Sequence, residues 1–335
     1  VTSSTQIQLI NRPVGWPTQD DFRTVAVDLP DLAPDQVRVV NEYTSVDPYM
    51  RGRMNEGESY IPPFALGETM TGGAIGRVVE STAATHPVGS VVMHELGWRD
   101  VAQGDASAFR VVEEIPGVPI SAYLGILGLT GLTAYVGLMH IAHLKPGDSV
   151  FVSGAAGAVG TAAGQIARLE GASRVIGSAG SAEKVALLTE KYGYAAAFDY
   201  KQAPVREQLA SIAGEGIDVY FDNVGGDHLE AALDVLRPGG RAAICGAISM
   251  YNATDRTPGP DNMGNIIVRS LTLQGFTLGN YTHLFPEFVA KMGPWLASGE
   301  VVHDETIVDG IENSVDAFLQ LMRGANVGKM LVRVS

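Results

Sequence analysis

Cysteine is almost missing from this chain. Cys245 is its single thiol, which excludes an internal disulfide framework and any four-cysteine zinc site, and suits a reducing, cytoplasmic setting. Positive charge is also scarce: 23 Lys and Arg stand against 37 Asp and Glu, a net charge of −14. Nucleic acid, which recruits basic faces, is therefore not an expected partner. The N-terminus lacks a basic segment followed by an apolar one, so no signal peptide is expected. The uncharged run Ile115 to Leu144 is interrupted by Pro116, Pro119 and four glycines between Gly125 and Gly137. It reads as two short buried helices, Tyr123 to Leu129 and Thr130 to His140, with Thr130 as N-cap, and no membrane partner is expected. The seven histidines show no tight ligand spacing; His140 and His143, three apart on an apolar helix end, read as core residues rather than metal ligands.

What the chain does have is apolar mass and glycine. Hydrophobic residues make up 46% of 335 positions and charged ones 18%, enough for two domains with a large core. The sharpest signal is SVFVSGAAGAVG, Ser149 to Gly160. Val150, Phe151 and Val152 read as a buried parallel strand, which breaks into glycine and alanine and then into the helical TAAGQIARLEG. Such a turn lets backbone approach a pyrophosphate at a helix N-terminus, and makes Gly157, Ala158, Val159 and Gly160 candidate cofactor contacts. An ordinary tight strand-to-helix turn is the alternative.

Short alternating runs up to about residue 121 predict a β-rich domain. From 122 to 292 strand and helix alternate, with strands expected at Val150–Ser153, Arg174–Ser178, Ala197–Tyr200, Val219–Asp222, Arg241–Gly246 and Leu271–Phe276. Six strands so linked predict an α/β fold, a doubly wound parallel sheet. Residues 293–335 return to mixed structure, with an amphipathic helix in SVDAFLQLMRG and a closing strand in KMLVRV that would complete the first domain.

The segments VDPYMRGRM, Gly67-Glu68-Thr69, AAGAVGTAAGQIARLEG, GSAEKV, FDYK, YFDNVGG, ICGAISMYN and NVGKMLV occur in one order from about residue 46 to the end. In this the chain resembles the zinc-free medium-chain dehydrogenase/reductases, and more closely the alkenal/one reductases, which include prostaglandin, curcumin and plant double-bond reductases. The resemblance implies a GroES-like β-rich catalytic domain around a Rossmann domain, and a homodimer. Ser45 and Asp47 stand where zinc-dependent cousins place a first ligand, and Gly67-Glu68-Thr69 where they carry Gly-His-Glu, so no metal is expected.

The second strand ends in Gly177 and Ser178 without the carboxylate that accepts ribose hydroxyls, and Lys184 follows. A missing acid beside a cation suits a 2′-phosphate, hence NADPH. The resemblance assigns Lys184 and Tyr200 to that phosphate, with Ser178 or Ser181 as hydroxyl donors; Glu183 weakens the case unless it points away. It also carries Asn223 and Asn326 onto the cofactor, against the simpler readings of an Asx turn and a loop cap. The implied activity is reduction of an α,β-unsaturated aldehyde or ketone, with charge developing on the carbonyl oxygen. A phenol, protonated at neutral pH, is a suitable donor to it. Tyr251 matches the family's tyrosine for this task, with an aromatic lid residue as the alternative, and Tyr49 is the second candidate. Arg51 could anchor a substrate carboxylate or serve a structural ion pair, and Tyr60 and Tyr281 could line the substrate pocket. Quinone reduction is the competing enzymatic reading; an NADPH-binding sensor or structural protein is the non-enzymatic one.

Overall fold

A computed structural model describes residues 2–57 and 59–334. The chain forms two compact units. The first comprises the chain up to Leu124, then Glu305–Asn326, then Met330 onward; the second comprises Gly125–Asp304 and Val327–Lys329. Residue 293 lies inside a helix, Phe285–Ser298, so the division comes after Asp304.

The first unit is built on a seven-stranded sheet. Its longest strand, Gln36–Ser45, runs antiparallel to Ala74–Ser81 along one side. Its other side is shared by Val101–Asp105 and the closing strand Lys329–Arg333, which pairs Leu331 with Ser45. Val37, Val39, Val78, Val92, Ala102 and Phe109 close its core. The helix Ser314–Met322 buries Val315, Phe318 and Met322, as its periodicity predicts, and Phe318 lies edge-on to Trp98 and Phe22.

The second unit is a six-stranded parallel sheet in the order Ala196–Asp199, Arg174–Ala179, Ser149–Val152, Ile217–Asp222, Leu236–Ile244, Thr272–Gly275. All four residues of Ser149–Val152 are buried, as befits a strand covered on both faces. Phe151 stacks between Phe198 and Tyr220. The strand order reverses between Ser149–Val152 and Ile217–Asp222, the position at which open α/β sheets bind ligands beyond the strand ends.

Three expectations shift. Thr130 is not an N-cap: the helix Leu129–Tyr135 begins after Gly128, and the Thr130 hydroxyl is buried inside it without a partner among the described residues. The rest of that segment is a 3₁₀ turn, Ile120–Leu124, and a π turn, Val136–Ile141. The fifth strand starts earlier and stops at Ile244, because Cys245 and Gly246 both turn their N–H groups onto the Asp222 carbonyl. The sixth is shorter, and on it Leu273 alone is half-buried. No helix among the described residues is long and apolar enough to cross a membrane.

Candidate functional site

The carboxyl ends of the parallel strands gather most of the residues singled out above. The turn after Ser149–Val152 is laced to its neighbours: Ala155 N donates to Ser178 O (2.8 Å), Gly154 N to Ser178 Oγ (3.3 Å), and Ser153 N to Phe221 O (3.1 Å). Gly160 is demanded by packing, since a Cβ there would lie 2.5 Å from Gly154 O and 2.6 Å from Ala155 Cα. Gly157 is the N-cap of the helix Ala158–Leu169, and no side chain caps that end. Backbone N–H groups at Ala158, Val159 and Gly160 are thus available for an anion, which the helix dipole favours.

Ser178 is fully buried and its hydroxyl supports the glycine turn. The sequence reading gave it a place at the phosphate; here it positions the turn. Ser181 caps the helix Ala182–Glu190, accepting from Lys184 N (3.3 Å). Glu183 is exposed, and bonds to its own backbone N–H and to Ser181 hold its carboxyl below the usual range. Lys201 faces Lys184 and lies 5.9 Å from the centre of the Tyr200 ring. A Cβ on Gly180 would stand 2.8 Å from the Tyr200 hydroxyl, so that glycine lets the phenol close on the backbone. Burial lowers the Lys184 ammonium, and Lys201 lowers it further. An anion placed there would offset the repulsion that Lys201 exerts on Lys184. In the sequence Lys201 is marked only by its place next to Tyr200 in FDYK.

At the fourth strand end, Asp222 rather than Asn223 makes the Asx turn. Its Oδ1 accepts from Val224 N (2.9 Å), Gly225 N (2.7 Å) and the Tyr220 hydroxyl (2.7 Å). Asn223 donates its side-chain amide to Ser153 O (2.8 Å) and leaves Oδ1 uncommitted among the described residues. Past the fifth strand, Tyr251 closes the 3₁₀ turn Ile248–Met250. Its oxygen would lie 3.3 Å from a Cβ on Gly246, so a side chain there would crowd it. Burial raises the phenol; the backbone N–H of Ala247 opposes the rise, and Cys245 and Asp222 add to it. Its oxygen accepts from the Ala247 N–H, and no acceptor among the described residues takes the hydroxyl hydrogen, which a protonated phenol therefore has available. Burial and Asp222 push the Cys245 thiol up to about 12, which makes it inert. Tyr281 belongs to this unit, in the turn Leu278–Leu284, against Phe276 and His283.

The first unit holds the remainder. Arg51 is buried, and its guanidinium donates to Gly15 O (2.8 Å), Pro13 O (3.3 Å) and Asn55 Oδ1 (2.7 Å). It staples the 13–15 segment to the short helix Tyr49–Arg53; those bonds, not a substrate carboxylate, explain its position. Tyr49 is held well above the ordinary phenol range by burial, then by Asp47 and Glu95. Arg53, beside it, donates to Thr71 Oγ1 (2.8 Å) and Pro62 O (2.9 Å) and lies over the Phe64 ring. Tyr60 is exposed and Asn326 buried. Ser45 donates its hydroxyl to Asp47. Glu95 escaped the sequence reading, because an isolated glutamate in HELGW carries no pattern.

Two family models match the chain: one described as the N-terminal domain of oxidoreductase over residues 5–112, the other as zinc-binding dehydrogenase over residues 158–293. The NADPH-dependent curcumin reductase of Escherichia coli (strain K12) is 39% identical over 98% of this chain and 96% of its own. The NADP(+)-dependent 2-alkenal reductase of Nicotiana tabacum is 38% identical over 99% and 98%. Among solved structures, CurA from Vibrio vulnificus in complex with NADPH superposes with a TM-score of 0.93 at 40% identity, covering 99% of both chains.

Proposed function

The chain belongs to the alkenal/one reductase family of zinc-free medium-chain dehydrogenase/reductases, and from that premise we propose that it reduces the C=C bond of α,β-unsaturated aldehydes and ketones with NADPH. The nucleotide fits the residues present: an uncapped helix N-terminus at Gly157 for the pyrophosphate, and Lys184, Lys201 and Tyr200 for the 2′-phosphate. Asn223, with its free Oδ1, and Asn326 are assigned to the same cofactor. When bound, NADPH supplies the hydride taken by the β-carbon of the substrate.

The chain's own task is then to stabilise charge on the carbonyl oxygen. Tyr251 does so by donating its hydroxyl, which is available and whose phenol is kept protonated by burial. Hydrogen bonding to an enolate oxygen is stronger than to a ketone oxygen, so the interaction favours the transition state over the ground state. Tyr49 is the second phenol assigned to substrate. Tyr60 and Tyr281 are assigned to the substrate's apolar body. The observation that carries the reading is the Tyr251 hydroxyl past the fifth strand, on a sheet whose strand ends also carry the glycine turn and Lys184 with Lys201. A cytoplasmic setting and a homodimer joined at the exposed strand Thr272–Gly275 belong to the same reading. The test is turnover: purified protein mixed with NADPH and an enone should consume both and yield the saturated ketone. Oxidation of NADPH with a quinone but with no enal or enone would replace this function by quinone reduction.

A further inference from the structure

Behind Tyr200, in the second unit, a buried imidazole has no part in the reading so far. His228 lies in the first turn of the helix Gly226–Val235 and is 2% exposed. It packs edge-to-face with the Tyr200 ring, the centres 5.4 Å apart and the planes at 76°. Its backbone N–H donates to Gly225 O (3.1 Å), and the N–H groups of Val224 and Gly225 are tied in turn to the buried Asp222 carboxyl. The ring Nδ1 bonds to Asp227 Oδ1 (2.9 Å); a carboxylate only accepts, so that nitrogen carries the proton. These bonds fix both the place and the rotation of the imidazole. Nε2, by contrast, is buried with no hydrogen-bond partner among the described residues. A leucine would fill the same space without leaving a polar atom unpaired, so packing alone does not account for a histidine here.

Tyr200 is the less constrained partner of the pair. It follows the strand Ala196–Asp199, is 38% exposed, and donates its N–H to Ala179 O (3.0 Å). Its ring lies against Gly180, where a Cβ would meet the hydroxyl at 2.8 Å and Cζ at 3.1 Å. An exposed phenol at a strand end turns among its rotamers unless a fixed neighbour stops it. We propose that His228 is a positioning residue for the 2′-phosphate: it holds the Tyr200 ring ready to meet that group, and so sets part of the preference for NADPH over NADH. This rests on the assignment of Tyr200 to the 2′-phosphate.

The energetic argument is one of preorganisation. A ring already held in place loses little rotational freedom when the nucleotide arrives, and the saving appears as affinity. NADH has no 2′-phosphate for Tyr200 to meet, so the saving belongs to NADPH. The charges around the corner are arranged to the same end. Two acids face Tyr200, Asp199 and Asp227, and both are engaged by their own turns. Asp199 accepts from Lys201 N (3.0 Å) and Gln202 Nε2 (3.2 Å). The bond from His228 anchors the Asp227 carboxyl and holds it below the usual carboxylate range. The imidazole thus fixes a phenol on one side and an acid on the other.

The test measures Kd for NADPH and for NADH by fluorescence titration, with no substrate present. His228→Leu fills the space without a ring. The ratio of the NADH Kd to the NADPH Kd should fall about three- to tenfold, the worth of one aromatic pair. His228→Phe returns a ring to Tyr200 and should recover part of that loss. In a Tyr200→Ala background, His228→Leu should change the ratio no further. An unchanged ratio in His228→Leu would overturn the proposal. So would equal losses in the Leu and Phe variants, or a loss that persists in full on top of Tyr200→Ala. A wild-type ratio near one, or a Tyr200→Ala variant with the wild-type ratio, would instead remove the assignment of Tyr200 beneath it.

Discussion

Two side chains, Tyr251 and Lys184, bear most of the chemical assignment. Tyr251→Phe keeps the ring and removes one hydroxyl, so kcat should fall while NADPH affinity holds. Loss of an oxyanion donor costs about 10²–10³ in rate, and less where another donor shares the oxygen. Single-turnover absorbance and fluorescence titration measure the two quantities; a wild-type chemical rate would transfer the role to Tyr49. Lys184→Ala should raise KM for NADPH at least about tenfold more than for NADH, in line with about 1.5–3 kcal/mol for a charged hydrogen bond. An equal change for both would show that Lys184 does not read the 2′-phosphate. Lys184 and Tyr200 are singled out in sequence because strand end, missing acid and cation fall within one short stretch. Ser178 is fully buried and its hydroxyl accepts from Gly154 N beneath the glycine turn, which composition at a strand end does not reveal. For Arg51 the sequence leaves a substrate carboxylate or a structural ion pair open, and its partners Pro13 and Gly15 are instead backbone carbonyls far along the chain.

Secondary-structure elements were the most readable level. All six parallel strands were expected within a few residues, because β-branched runs bounded by glycine leave few alternatives. Boundaries failed where long-range hydrogen bonds set them, as at Ile244, ended by Asp222. The glycine turn gives a prediction at this scale. Gly160→Ala would force a Cβ to 2.5 Å from Gly154 O, and should cost about 1–3 kcal/mol in urea unfolding through overpacking. Gly157→Ala is the control: its φ of −80° is ordinary and its nearest contact would be 3.4 Å, so stability should change little. Equal losses in both would refute the close-packing account of Gly160.

For the whole molecule, the edge strand Thr272–Gly275 exposes Thr272 and Gln274, and the helix Gly264–Val268 before it carries Ile267 and Val268 at 83% and 82% exposure. An uncharged edge beside two bare aliphatic side chains invites a second copy. Sedimentation should find a dimer at micromolar concentration, and Ile267→Glu with Val268→Glu should shift it toward monomer; a wild-type monomer at that concentration would contradict the assignment. In sequence, alternation changes character near residue 122, whereas the return of the chain to the first unit after Asp304 depends on where a helix ends and a strand finds its partner. The central claim remains hydride transfer to an activated C=C bond. Its most direct test is the product of one turnover with deuterium-labelled NADPH and an enone, read by NMR. The account predicts a saturated ketone with deuterium at the β-carbon and an intact carbonyl; deuterium on the carbonyl carbon, giving an allylic alcohol, would contradict it.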